Sequence, residues 1–338
     1  MSPLNQQRWQ KFKQHRRGYW SLWIFTGLFA LSLCAEVLVN NKPIMVSYRS
    51  SLYFPVLKDY PETTFGGEFE TATDYRDSYV RDMIEKNGWM LWPPVHFNHQ
   101  TINYNLTVPA PAPPSRDNWL GTDDQGRDVV ARLIYGFRIS VLFALTLTVL
   151  SSIVGVAAGA LQGYYGGRID LFGQRFIEIW SGLPVLFMLI ILSSLVEPNF
   201  WWLLGLMLLF SWTELTGLVR AEFLRGRNLE YVRAARALGL SDGQIMYRHI
   251  LPNAMVSTLT FLPFIFTGAI GVLTSLDFLG FGLPPGSASL GELVAQAKNN
   301  LSAPWLGLSS FVTLSVMLTL LVFVGEAARD AFDPRKSA

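Results

Sequence analysis

Tyr231-Val-Arg-Ala-Ala-Arg-Ala-Leu-Gly-Leu-Ser-Asp-Gly-Gln-Ile-Met-Tyr-Arg-His-Ile-Leu-Pro-Asn253 carries more structural instruction than any other part of the chain. Ala234, Ala235 and Ala237 are strong helix formers with small side chains. Gly239 can take the left-handed conformation that ends a helix. Ser241, followed three residues later by Gln244, is the capping-box signature of a second helix. Pro252 stops that helix or opens the segment after it. The stretch therefore reads as a short amphipathic helical elbow, rich in arginine.

The elbow sits between two apolar runs, and more such runs lie further out. A bilayer core of about 30 Å needs roughly 20 apolar residues per helix. Six segments meet that length, at about 19–39, 139–161, 172–196, 201–219, 255–276 and 305–325. The third and fourth are parted only by Glu197, Pro198, Asn199 and Phe200, which predicts a tight antiparallel hairpin. Half of the 338 residues are hydrophobic, only 15% are charged, and mean hydropathy is +0.28. A soluble domain carries about a quarter charged residues, so the expectation is an all-α polytopic membrane protein.

Charge placement orients the helices. Arg8, Lys11, Lys13, Arg16 and Arg17 precede the first span with no acidic residue among them, which predicts a cytoplasmic N-terminus. Six alternating spans then put Arg168 and Arg175, the elbow, and the tail with Arg329, Arg335 and Lys336 on the same side. The expected organisation is 1–40 as N-terminus and first span, 41–138 as a long external loop, 139–330 as a five-helix core, and 331–338 as a cytoplasmic tail. The loop should hold a small ordered elaboration with little regular structure. The net charge of +2 indicates no surface for nucleic acid. The single Cys34 excludes an intrachain disulfide.

Other features have local readings. Gly155, Gly159 and Gly163 recur every fourth residue, the spacing that lets two membrane helices approach closely. Thr122 and Gln125 form another capping-box pattern, with Asp123 and Asp124 favouring a helix N-terminus. Glu178 and Glu214 lie inside apolar segments, where a carboxylate either lines a path or pairs with a neighbouring helix. No metal site is expected: His96 and His99 are loop histidines without a supporting carboxylate pattern. The chain lacks a Walker A sequence and a His-Glu-x-x-His pair, so no catalytic residue is expected and neither ATP hydrolysis nor zinc chemistry belongs to it.

Residues 233–252 resemble the cytoplasmic coupling loop of bacterial ABC importer permeases, whose pattern is Glu-Ala-Ala, three residues, Gly, nine residues, Ile-x-Leu-Pro. Ala234, Ala235, Gly239, Leu251 and Pro252 match, with Leu240 and Ser241 inside the same loop; Arg233 stands for the leading Glu, and His249 where Ile is usual. The segment Leu120-Gly-Thr-Asp-Asp-Gln-Gly-Arg-Asp128 is similar to the C-type permeases of dipeptide, oligopeptide and nickel importers. Tyr60-Pro-Glu-Thr-Thr-Phe-Gly-Gly-Glu-Phe-Glu70 and Trp92-Pro-Pro94 resemble the narrower Yej-type group, which takes up microcin C. The resemblance implies the type I importer permease fold with a periplasmic insertion between helices 1 and 2, in the bacterial inner membrane. It also implies a second permease subunit, a cytoplasmic ATPase with two nucleotide-binding domains that binds ATP and Mg, and a periplasmic peptide-binding protein. Apart from membrane lipid, no further partner is implied, and this chain would hold no cofactor. A transporter driven by an ion gradient is the alternative, though no internal repeat supports it.

Overall fold

A computed structural model describes residues 3–332, with side chains from residue 6. Arg335, Lys336 and the rest of 333–338, most of the expected tail, lie outside the described residues. The chain opens with helices α1 (Pro3–Gln14), α2 (Arg16–Leu33) and α3 (Ala35–Leu38). Strands β1 (Met45–Tyr48) and β2 (Ser51–Tyr53) follow, then α4 (Ser78–Asn87) and β3 (Gly88–Leu91). The long helices come next: α5 (Val129–Tyr165), α6 (Gly167–Ser181), α7 (Val185–Ser193), α8 (Phe200–Ser211) and α9 (Thr213–Gly226). The elbow supplies α10 (Glu230–Ala237) and α11 (Asp242–Gln244), and α12 (Leu251–Phe278), α13 (Leu290–Asn299) and α14 (Pro304–Phe332) complete the order.

Among the described residues, four helical stretches are long and apolar enough to span a bilayer: Val129–Tyr165, Phe200–Gly226, Asp242–Phe278 and Pro304–Phe332. A fifth exists if α6 and α7 are one span, but they meet at 72°. This corrects the expectation of a straight third helix over 172–196. Pro184 bars the helical conformation at Leu183 and, with Gly182, breaks the segment in the middle. The first expected span is also shorter than read. α2 has 18 residues, two of them arginines, and is roughly 27 Å long, under the about 30 Å of a bilayer core. α5 begins at Val129, so the boundary expected at 138/139 falls inside a helix.

The chain divides into two compact units. The first comprises Met1–Thr26, Val141–Pro284 and Ser315–Ala338; the second comprises Gly27–Ser140 and Pro285–Leu314. In the first, α5 and α9 run side by side. A Cβ placed on Gly155 would lie 2.6 Å from the Trp212 carbonyl oxygen, one on Gly159 2.6 Å from that of Thr216, and one on Gly163 2.5 Å from that of Arg220. Both partners advance by four residues, so the two helices run in the same direction with backbones in contact. Arg220 then pairs with Asp170 of α6 (Nη2–Oδ2 2.7 Å), and Arg227 donates to the Tyr164 carbonyl at 3.1 Å, closing the end of α5.

The second unit is more ordered than expected for a loop. Arg49 and Ser50 both have positive φ (47° and 64°), the two-residue turn that joins β1 to β2. β3 pairs on the other side, giving the order β2-β1-β3. Asp77 caps α4 by accepting from the Tyr79 N–H at 2.7 Å. Helix and sheet bury Val46, Val80 and Ile84 around Phe65, whose ring meets Tyr48, Tyr53, Tyr60 and Tyr75 edge-on at 5.3–6.4 Å.

The capping box expected at Thr122 and Gln125 does not form. The Thr122 hydroxyl accepts from the Ala112 N–H, and Asp128 is the residue whose carboxylate receives the Ala131 N–H as α5 starts. Asp123 instead anchors a buried ion cluster. It accepts Arg127 Nε at 2.6 Å and faces Arg132 Nε at 3.3 Å, while Arg127 and Arg132 both reach Glu292 of α13, at 3.1 and 2.8 Å. Removing one member of such a buried pair typically costs about 3–5 kcal/mol, which is how α13 is held to the start of α5.

Two measurements test these packings. Gly159→Val should lower the stability of the detergent-purified chain by about 1–3 kcal/mol, because the Cβ has no room. Gly217→Ala on α9, whose Cβ would meet nothing within 4 Å, should leave stability unchanged or raise it. The second concerns His99, whose pKa is pushed down to about 4 by burial and then by Arg132, Arg138 and Arg127. Unfolded, it titrates near 6.5 and so binds the extra proton between pH 6.5 and 4. Its contribution to stability is present above pH 6.5 and falls away toward pH 4; thermal melts of His99→Gln should show a shallower loss across that window.

Candidate functional site

α9 ends at Gly226, where a Cβ would lie 2.9 Å from the Ile250 side chain. The chain turns through Arg227, Asn228 and Leu229 into α10. Val232 and Ala235 form the inner face of α10 and join a core of Ala160, Tyr164, Val219, Phe223, Ile245, Ile250 and Ala254. Gly239 has φ +83° and releases the helix. Ser241 Oγ then accepts from the Gln244 N–H at 3.4 Å while Gln244 Oε1 accepts from the Ser241 N–H at 3.1 Å, the capping box read from the sequence.

The second limb is not a separate helix. From Asp242 it continues through a π-helical turn, Ile245–Ile250, into α12 without a break. Pro252 lacks an N–H and its ring crowds the carbonyl four residues back; the wider turn before it accommodates that. The His249 carbonyl in this turn also accepts from Tyr231 Oη at 3.3 Å and Asn253 Nδ2 at 3.4 Å.

The residues singled out in the sequence divide into two sets. Arg233, Ala234, Gly239, Ser241 and Pro252 are exposed. Ala235 is buried, and Leu240 and Leu251 pack against the core as scaffold. Sequence reasoning missed Leu238, 81% exposed at the tip, and the exposed Tyr231 and Tyr247 beside it. It also missed Tyr164, whose hydroxyl donates to Asp242 Oδ1 at 2.5 Å and accepts from Arg236 Nη2 at 3.1 Å. One phenol at the end of α5 thus ties both limbs of the elbow.

Glu214 and Glu178 separate. Glu214 lines a cavity of about 340 Å³ with Trp180, Ser181, Ser211 and Thr213, and makes no ion pair among the described residues. Glu178 pairs with Arg175 of its own helix at 2.5 Å. Gly155, Gly159 and Gly163 face α9 as described above.

An elbow with a buried face and an exposed tip, joined to helices of membrane length, defines a helical membrane protein with a surface free for a partner. Residues 151–338 match the family described as the inner membrane component of binding-protein-dependent transport systems, and the chain belongs to that family. It is 61% identical over 337 residues to the inner membrane ABC transporter permease protein YejE of Escherichia coli K12, covering 100% of this chain and 99% of the relative. It is 59% identical to the peptidoglycan transport system permease protein YejE of Agrobacterium fabrum, covering 99% and 94%. The oligopeptide transport system permease protein OppC of Lactococcus lactis IL1403 is 35% identical over 240 residues, 70% of this chain and 82% of the relative. The chain is therefore an ABC transporter permease and not an enzyme, which sets aside the ion-gradient alternative.

Tyr164→Phe removes the bonds to both limbs and should cost about 1 kcal/mol or somewhat more. Trypsin cleavage at Arg233 and Arg236 in the purified chain should quicken, with Tyr165→Phe as the unaffected control.

Proposed function

We propose that the chain is one of two membrane subunits of an ATP-driven importer that carries peptides across the bacterial inner membrane by alternating access. The observation that carries this reading is the elbow at 230–252. It is fixed on its inner face and bare on its outer face. Leu238 stands at its tip, with Ala234 and Ala237 behind it and Arg233 and Arg236 alongside. An exposed apolar knob with the exposed Arg233 on the same helix suits a partner groove with an apolar floor and an acidic rim. That partner is a cytoplasmic ATPase with two nucleotide-binding domains, which binds ATP and Mg; the permease family supplies no cofactor of its own.

The names of the relatives support peptide cargo, either free oligopeptides or the peptide-bearing fragments of peptidoglycan, with microcin C as a further candidate of the Yej type. The remaining partners are a second permease and a periplasmic peptide-binding protein, in membrane lipid. On this reading the type I fold has six spans, counting α2–α3 as the first and the bent α6–α7 pair as the third. The N- and C-termini are then cytoplasmic and the sheet-bearing insertion periplasmic. Glu214, unpaired beside a cavity within a span, lines the pathway.

Gly239→Pro tests the reading. Proline fixes φ near −65°, which the observed +83° forbids. The variant should insert and assemble with its partners, yet lose peptide-stimulated ATP hydrolysis and peptide uptake in reconstituted vesicles. Normal uptake by the assembled variant would sink the proposal. Leu238→Asp, which leaves the turn intact, should weaken the same coupling through the contact alone.

A further inference from the structure

The second unit encloses a cavity of about 420 Å³ whose lining includes Arg76, Arg81, Arg116, Trp92, His96 and Phe97. Its size is that of a small-molecule pocket, concave where a protein–protein surface would be flat. Three guanidiniums meet two carboxylates there, Glu85 and Asp117, and Arg81 already faces Glu85 at 3.6 Å. Arg76 and Arg116 make no ion pair among the described residues.

Arg76 is the informative member. It is half-buried, with its guanidinium 4.3 Å from the centre of the Phe97 ring. The ring contact restrains the guanidinium, and its N–H groups make no hydrogen bond among the described residues. Burial lowers its pKa, opposed by the charges of Asp74 and Asp117, so the cation is under-compensated where it stands. His96, tilted 5.0 Å from Trp92, has its pKa lowered by burial and by Arg76 and Arg81, against the opposing charge of Asp117, and offers a further hydrogen-bonding group to the cavity. Planar guanidinium forks recognise carboxylates with two parallel bonds, and a stacked one is already oriented to do so.

We propose that this cavity binds the C-terminal carboxylate end of a short peptide, the carboxylate at Arg76 and Arg116 and the last side chain beside Trp92 and His96. Nothing in the coupling elbow or in the Glu214 cavity requires such a site, and it lies in a segment that the family match at 151–338 does not reach. The inference rests on the reading that the importer's cargo is peptide. It gives the insertion a role in receiving that cargo.

The test is calorimetric titration of the full-length chain in detergent with N-acetyl-Ala-Phe and, separately, with its C-terminal amide. The free acid should bind saturably, and the amide roughly tenfold or more weakly. Arg76→Gln and Arg116→Gln should each weaken the acid toward the level of the amide, while Arg49→Gln, outside the cavity, should bind as the parent does. Should Arg76→Gln fail to fold through loss of its Phe97 contact, the exposed Arg116→Gln carries the same test. Equal binding of acid and amide, no saturable binding of the acid, or unchanged binding in the arginine variants overturns the proposal. If the assembled complex imports peptide while this chain binds neither probe, only the present inference fails. If the acid binds here but the complex moves no peptide, the importer reading fails instead.

Discussion

The first unit depends on backbone contact between α5 and α9. Three glycines on α5 meet three carbonyls of α9 at about the distance at which any Cβ would collide. In lipid no hydrophobic drive brings two helices together, since the tails are as apolar as leucine; close packing must do it. Everything at the far end inherits this register. Gly163 sits opposite Arg220, the next residue on α5 is Tyr164, and α9 ends where Gly226 lets the Ile250 side chain in. The elbow's position is therefore a consequence of three missing methyl groups in the last turns of α5.

Polar contacts complete what the glycines begin. Arg220 reaches across to Asp170, and Arg227 satisfies the carbonyl of Tyr164 that the end of α5 leaves without a helical partner. The Tyr164 hydroxyl then holds Arg236 and Asp242 on opposite sides of the Gly239 turn. These bonds are individually modest, about 1 kcal/mol each. They act on a loop already pinned by Val232, Ala235, Ile245 and Ile250. Their effect is to define one geometry for the tip, more than to add bulk stability.

Much of this was legible in the sequence, and the misses have physical causes. The 239–244 turn was readable because Gly, Ser and Gln each act through local backbone chemistry. The glycine stripe was readable because its period is that of the helix. The bend at 182–184 was missed because an apolar count does not weigh the one proline that splits it. Thr122 and Gln125 had the capping pattern, but Asp123 takes the Gln125 N–H and Asp128 caps the helix, which starts only at Val129. Glu178 and Glu214 look alike by position in an apolar run; what the run does not display is that an arginine three residues before Glu178 pairs with it while Glu214 makes no ion pair among the described residues. Tyr164 had no local signature at all, since both of its partners lie beyond residue 235.

The unbroken passage from Asp242 into α12 carries the mechanical argument furthest. Had the second limb ended in a loop before Pro252, movement of the tip would have been absorbed there. Instead the second limb and the membrane helix are one continuous element from Asp242 onward, joined to Leu238 only through Gly239–Ser241, so displacing the tip loads the start of α12 and the π turn. That turn is the softest point available, because its wider hydrogen bonding already departs from the α-helix and its carbonyls lean on Tyr231 and Asn253. On the opposite side, α10 shares its buried face with α9 and α5 and cannot move without opening that core. Ile245, Ile250 and Ala254 lie in that same core, so both limbs are anchored together and the π turn is the point where a displacement of the tip would be taken up.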